Sequence, residues 1–344
     1  MSRYLLILLI PLAIATVLAS GAAPVLAHSP VTEPSAPAEP FTEWLEQFRA
    51  DARARGISRV TIEDALSDVE PIPRVIELDR RQPEFSLTFR EYLSQVGSDE
   101  RVARGRKRLA KHRALLNAVS AKYGVPPQVI VALWGIETDF GRLTGGFRVI
   151  PALATLAHDG RRSAYFRKEL FNALTIIDLG HIDAADMMGS WAGAMGQCQF
   201  MPSSFLRAAV DDNGDGRKDI WETQADVFAS AANLLRSNGW VKGRIWGRPV
   251  LLPASFDPAL AGHDTRKTLA EWQRIGVRRG NGRNLPRVDI TASVIMPGGA
   301  GGPAFIVYEN FRAILKWNRS DFFALTVGYL SDRIGGKNTV MFSQ

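Results

Sequence analysis

PPQVIVALWGIETDFG, Pro126 to Gly141, is the stretch on which the fold turns. Pro126 and Pro127 preset the backbone for a helix start, and the group Gly141, Gly145 and Gly146 marks its end. Between them Ile130, Leu133, Trp134 and Glu137 stand at i, i+3, i+4 and i+7, so one face carries three apolar side chains and a carboxyl. Burial disfavours the charged form of a carboxyl and raises its pKa, which makes Glu137 a candidate proton donor at neutral pH. Asp139, two residues on, points to roughly the opposite side of such a helix, so the two acids do not form a local pair. Spacing alone favours reading Glu137 as a helix-end carboxylate paired with an arginine, for which Arg142 is at hand.

Helical patterns extend to either side. FTEWLEQFRADARARG, VTIEDALSD and EFSLTFREYLSQV read as helices, followed by a long basic helix through RVARGRKRLAKHR. SAYFRKELFNALTIID is amphipathic, with Phe166, Leu170, Leu174 and Ile177 on one face. From Val241 to Pro303 the character changes to short β-branched runs such as RPVLLP and VDITASVIM between Gly/Pro turns. Helices are expected again in FIVYENFRAILKW and DFFALTVGYLSDRI. The fold class is therefore mainly α with a small β subdomain: α-helical over residues 41–240 and 304–344, β-rich over 241–303.

Composition narrows the setting. The chain has 344 residues, 46% of them hydrophobic, enough for a substantial core. Residues 1–27 combine Arg3, an apolar stretch from Leu5 to Leu18 and small residues ending at Ala27, the layout of a secretory signal peptide. An uncleaved membrane anchor is the less favoured reading, and no cysteine near Ala27 offers a lipid attachment point. Residues 28–40, HSPVTEPSAPAEP to the start of the folded part, form a Pro-rich linker. Cys198 is the sole cysteine, so no internal disulfide is possible and the expected role is a buried, inert thiol. The net charge of +7, which falls to +6 without Arg3, suits an exported protein that meets an anionic polymer. The basic run Arg101 to Arg113 lacks interleaved aromatics and reads as a solvated helix face, not a nucleic-acid surface.

Two further segments carry chemistry. DDNGDGRKDIWE, Asp211 to Glu222, matches an EF-hand loop: Asp211, Asn213, Asp215, Asp219 and Glu222 supply side-chain oxygens, Arg217 a backbone carbonyl, and Gly216 the sharp turn. A structural calcium ion, or sodium in its place, is expected there. A calcium sensor would need a bistable helix pair, and an Asp/Asn/Gly-rich turn that binds nothing is the plain alternative. GSWAGAMGQCQFMPSS, Gly189 to Ser204, combines glycines that let a ligand approach the backbone with uncharged hydrogen-bonding side chains, a composition suited to hydroxyl and acetamido groups. A tightly packed structural loop has the same composition.

The runs IETDFG, PALATLAHDGRRSAYF, GSWAGAMGQCQFMPSS, the EF-hand-like loop and NFRAILKWNRSDFFALTVG, in that order, resemble the lytic murein transglycosylase B family, glycoside hydrolase family 103. The resemblance runs from about Phe41 to Ile334 and implies a lysozyme-like α catalytic domain with a single EF-hand-like loop. It implies cleavage of the β-1,4 bond between N-acetylmuramic acid and N-acetylglucosamine without water, leaving 1,6-anhydromuramoyl ends. Glu137 matches the family's single catalytic carboxylate, acid and then base, with no cofactor for catalysis. Ser190, Gln199 and Asn318 match residues implied to line the site, and Arg161, Arg162 and Tyr165 match a stretch implied in substrate contact; Tyr92 is a weaker match. The aromatic before Asn318 can be Tyr in the family and is Trp317 here, and a later Tyr is Phe323, so neither position carries a hydroxyl in this chain. The implied setting is the periplasm and the implied partner the peptidoglycan glycan strand, met by a monomer and not by nucleic acid; protein partners in wall synthesis or division are left open. A hydrolytic muramidase and a non-catalytic wall-binding module are the rival readings.

Overall fold

Helix α7 (Pro127–Thr138) is buried on nearly every side: Val129 through Gly135, Glu137 and Thr138 are all buried. The face read from Ile130, Leu133, Trp134 and Glu137 is thus part of a fully enclosed helix, which is what an apolar run without a polar stripe requires. A computed structural model describes residues 39–80 and 87–337. The expected signal peptide and all but the last two residues of the linker lie outside the described residues.

Around α7 the chain wraps α1 (Phe41–Ala54), α2 (Arg59–Leu66), α3 (Pro73–Arg80), α4 (Phe89–Val96), α5 (Asp99–Lys111) and α6 (Arg113–Tyr123). The expected long basic helix is two helices, because the chain turns at His112. After α7 come a short strand β1 (Phe147–Arg148), α8 (Val149–His158), α9 (Ser163–Asp178), β2 (Met188–Gly189), α10 (Pro202–Ala208) and α11 (Gln224–Ser237). The main core joins all of these with the C-terminal helices α13 (Glu309–Leu315) and α14 (Asp321–Ile334); Phe48, Phe166, Phe200, Phe205, Phe228 and Phe323 are among its largest fully buried side chains. Full burial of such side chains stabilises by about 1.5–3 kcal/mol each.

Between α11 and α13 lie β3 (Gly247–Leu251), β4 (Lys267–Thr268), α12 (Leu269–Arg274), β5 (Arg278–Arg279), β6 (Thr291–Ile295) and β7 (Ala304–Val307). They form a five-stranded sheet in the order β4-β6-β7-β3-β5 with antiparallel pairings. A second, smaller core of Val250, Leu269, Trp272, Val294 and Ile306 packs α12 on the sheet. The expected helix through FIVYENFRAILKW begins only at Glu309: Phe305 to Val307 belong to β7, so the sheet runs past residue 303. A central strand buried on both faces reads as an unbroken apolar run, which periodicity does not separate from a buried helix.

Candidate active site

The end of α7 is bent back on itself within three residues. Asp139, Phe140 and Gly141 have φ of 51°, 64° and 80°, all left-handed. Asp tolerates this region and glycine favours it, but a phenylalanine there is strained by roughly 1–3 kcal/mol and is held by its surroundings. The Phe140 ring lies where a Cβ on Gly135 would come within 2.7 Å of it, so the reversal fits only a glycine in the preceding turn. Asp139 anchors the bend. Its buried carboxylate is 2.8 Å from Arg104, 2.7 Å from Arg142 and 3.9 Å from Arg101. Arg142, the expected partner of Glu137, therefore pairs with Asp139 instead.

Glu137 is left in an apolar pocket, 8% exposed. Burial pushes its carboxyl up to about 8, against a smaller opposing pull from the hydrogen bond it accepts from the Trp317 indole. That bond, Trp317 Nε1 to Glu137 Oε1, is 2.8 Å. Trp317 ends the α13 segment and meets the Phe200 ring edge-on at 5.4 Å. At this position, where the family can carry a tyrosine hydroxyl, the Trp317 indole N–H donates to the carboxyl directly. Cys198, buried, donates to the Val227 carbonyl, and burial first and the Glu137 charge second push its thiol up. The GQCQF segment thus flanks Glu137, and Cys198 is buried as expected.

That segment is tied down from both sides. The Thr138 hydroxyl donates to the Gln197 carbonyl at 2.9 Å and accepts from the Gly141 N–H at 3.1 Å. Gln197 Oε1 accepts from the Trp134 indole at 2.8 Å, and its Nε2 donates to the Trp221 carbonyl at 2.6 Å. The β1–β2 ladder pairs Phe147 with Gly189. Next to it, a Cβ on Gly145 would lie 2.0 Å from the Gly189 carbonyl oxygen, a contact only glycine permits.

The predicted contact residues separate into groups. Gln199, at φ 50°, donates to the Thr144 and Gly196 carbonyls at 2.9 and 3.0 Å, while its Oε1 is buried without a hydrogen-bond partner. A buried acceptor left open suits a ligand hydroxyl or amide. Asn318, adjacent to Trp317, is 6% exposed and accepts from the Ser320 N–H at 3.1 Å. Ser190 is fully buried; its hydroxyl accepts from the Ala194 N–H at 3.0 Å and closes the GSWAGA turn. Arg161 and Arg162 both engage the fully buried Asp79, Arg161 at 3.6 Å from its carboxylate, so the charge expected to meet substrate carboxylates is shared with a protein acid. Tyr165, on α9, is 44% exposed with its ring 5.1 Å from Phe166. Tyr92, on α4, is buried with its ring 5.7 Å from Phe322 on α14. Asp79, Arg101 and Arg104 escaped the sequence reading; each acts across a long stretch of chain, and only the unmatched charge of Asp139 hinted at such partners.

The EF-hand-like loop bridges α10 and α11, as its flanks predict. Asp211 accepts the N–H groups of Gly214, Asp215 and Gly216 at 2.6, 3.2 and 2.8 Å. Asp215 accepts from the Arg217 N–H at 2.8 Å and from the Asn213 amide at 2.8 Å. Asp219 accepts from the N–H groups of Trp221, Glu222 and Thr223. Beneath the loop the buried Asp226 takes the N–H groups of Asp212 and Asp219, both at 2.8 Å. The all-oxygen donor set fits a hard cation, and Gly216, at φ 89°, makes the required turn. Among the described residues no three His, Cys, Asp or Glu side chains converge on one point, so taking up a cation requires the loop's carboxylates to turn from their backbone partners toward it. The expected ligands spend their oxygens on the loop's own backbone.

A mostly helical body flanked by a small antiparallel sheet is the architecture of the lysozyme-like lytic transglycosylases. Residues 40–332 match the transglycosylase SLT domain. The chain belongs to that family, in its lytic murein transglycosylase B branch. It is 30% identical over 296 residues to membrane-bound lytic murein transglycosylase B of Escherichia coli strain K12, covering 81% of this chain and 79% of the relative. The fold superposes on SltB3 of Pseudomonas aeruginosa, solved in complex with NAG-anhNAM-pentapeptide, with a TM-score of 0.85 and 45% identity, over 88% of this chain and 82% of that one. It also superposes on Slt35 of Escherichia coli, solved in complex with calcium, with a TM-score of 0.73 and 30% identity, over 85% of this chain and 92% of that one.

Proposed function

We propose that this protein cleaves the β-1,4 bond between N-acetylmuramic acid and N-acetylglucosamine in peptidoglycan without water, leaving 1,6-anhydromuramoyl ends. The observation that carries the reading is the isolation of Glu137, which keeps its proton up to about pH 8 in an apolar pocket while Asp139, the nearest acid in sequence, is neutralised by arginines. Protonated, Glu137 gives its proton to the glycosidic oxygen as the bond to C1 breaks. The resulting carboxylate, held by the Trp317 N–H, then takes the proton of the C6 hydroxyl as O6 closes on C1. The first proton leaves on the departing sugar's hydroxyl and the C6 hydroxyl proton restores Glu137, so one carboxyl does the work for which hydrolases usually need two. The pentapeptide complex of SltB3 supports a glycan bearing peptide as the substrate.

Gln199, Asn318 and Trp317 are proposed as contacts to the reacting sugars, with Ser190 shaping the turn that presents them; Arg161, Arg162, Tyr165 and Tyr92 are proposed as outlying contacts. The loop Asp211–Glu222 is proposed to take a calcium ion structurally, supported by its donor spacing and by the calcium complex of Slt35. Export to the periplasm is proposed from the layout of residues 1–27. Among the described residues no helix is long and apolar enough to cross a membrane.

Replacing Glu137 by Gln tests the assignment. The variant is expected to fold and to bind murein sacculi while releasing no soluble fragments. Undiminished release would remove Glu137 from its role and favour the wall-binding reading for this pocket.

A further inference from the structure

A cavity of about 670 Å³ opens at the end of the smaller core, and none of the residues that hold Glu137 lines it. Its floor is apolar, formed by Leu269 and Ile290, and its rim carries Val241, Ile245 and Val288, each 38–48% exposed. Three arginines face it: Arg244 from the segment after α11, Arg248 from β3 and Arg266 from the approach to α12. Two acids share the lining, Asp289 and Glu309, and Glu309 stands 4.0 Å from Arg266, so the arginines outnumber the acids by one. The Tyr308 hydroxyl, on a residue 5% exposed, lies against the Arg248 side chain, whose Nε is buried without a hydrogen-bond partner. A carboxylate suits this pair, since it accepts from a hydroxyl and a guanidinium at once.

We propose that this cavity is a second binding site, taking a short peptide with a free carboxylate and small apolar side chains, the stem peptide of a glycan strand. The identity of the peptide rests on the murein reading above; the site itself does not. The carboxylate is received by Arg248 and Tyr308, with Arg266 beside them, and the methyl-sized side chains lie on Leu269, Ile290 and the exposed rim. A glycan strand held at Glu137 and a peptide held here give the enzyme two grips on a cross-linked polymer.

The test uses the full chain carrying Glu137→Gln, titrated by calorimetry with the sugar-free pentapeptide L-Ala–γ-D-Glu–L-Lys–D-Ala–D-Ala. Saturable binding is expected, weakened at least about tenfold by Arg248→Ala, by Arg266→Ala and by amidation of the peptide's terminal carboxylate. Thermal unfolding of each variant checks the fold; if Arg248→Ala is unfolded, the half-exposed Arg266 decides. Absence of saturable binding, or equal affinity in folded arginine variants, overturns the proposal, as does loss of binding on Gln199→Ala alone. Failure of the murein reading has a different signature: the chain with Glu137 intact releases nothing from sacculi while the pentapeptide still binds.

Discussion

The Trp317 indole donates a 2.8 Å hydrogen bond to Glu137 across 180 positions of sequence, and it is the hydrogen bond that steadies the buried carboxyl when it gives up its proton. Trp317→Phe keeps the ring and removes the donor. A hydrogen bond to a charged group contributes about 1.5–3 kcal/mol, so its loss raises the Glu137 pKa further, by roughly one unit or more. The basic limb of the pH-rate profile is expected to move to higher pH, with kcat lower by about tenfold; an unmoved limb would detach Trp317 from the proton transfer.

The same carboxyl makes folding stability depend on pH. In the unfolded chain Glu137 titrates near 4.5, and in the folded protein near 8. Below both values it is protonated in either state and has no effect. Between them only the native state holds the proton, so stability falls as pH rises, by about 1.4 kcal/mol per unit. Glu137→Gln is free of this penalty. Urea unfolding is expected to show the variant gaining on the unsubstituted protein by roughly 4 kcal/mol between pH 5 and pH 8; parallel pH dependences would mean that Glu137 is solvated.

Asp139 serves the geometry and not the proton. Asp139→Ala leaves Arg104 and Arg101 without the anion they surround and releases the left-handed bend after Glu137. A loss of roughly 3 kcal/mol in stability is expected, with lytic activity reduced but still present and its pH profile unmoved. An activity loss as complete as that of Glu137→Gln would make Asp139 a second catalytic acid.

Gly145→Ala tests the seam between the α7 reversal and the polar loop. The new methyl would meet the Gly189 carbonyl oxygen at 2.0 Å, and φ is 110° there, so neither backbone accommodates it. A fall of more than about 3 kcal/mol in stability is expected by thermal or urea unfolding. A neutral outcome would show the β1–β2 pairing to be dispensable.

For the loop Asp211–Glu222, millimolar calcium is expected to raise the melting temperature, at an affinity of roughly 10⁻⁴ to 10⁻³ M, and Asp215→Ala to abolish the response. Insensitivity of the unsubstituted protein would make the loop a turn held by its own hydrogen bonds.

Local signals carried much of this architecture. The helix Ser163–Asp178 coincides with its amphipathic run, and the loop between α10 and α11 with its donor pattern. Helix α7 announced its start through Pro126 and Pro127 and its odd carboxyl through Glu137. What the chain concealed is non-local. The pairing of Asp139 with Arg104, of Arg162 with Asp79 and of Trp317 with Glu137 each joins segments with no shared pattern. Phe305 to Val307 looked helical because a strand covered on both sides has no alternation to display. Ser190 and Gln199 share one loop, yet the hydroxyl closes a turn while the amide keeps an open acceptor, a division set by backbone geometry alone.

The central claim is that one carboxyl gives a proton to the leaving oxygen and takes another from the sugar's own C6 hydroxyl, which replaces water. Digestion of purified murein in heavy-oxygen water, with the released muropeptides weighed by mass spectrometry, tests it directly. The account predicts 1,6-anhydromuramoyl products free of the solvent label; reducing muramic acid ends carrying the heavy oxygen would contradict it and make the protein a hydrolase.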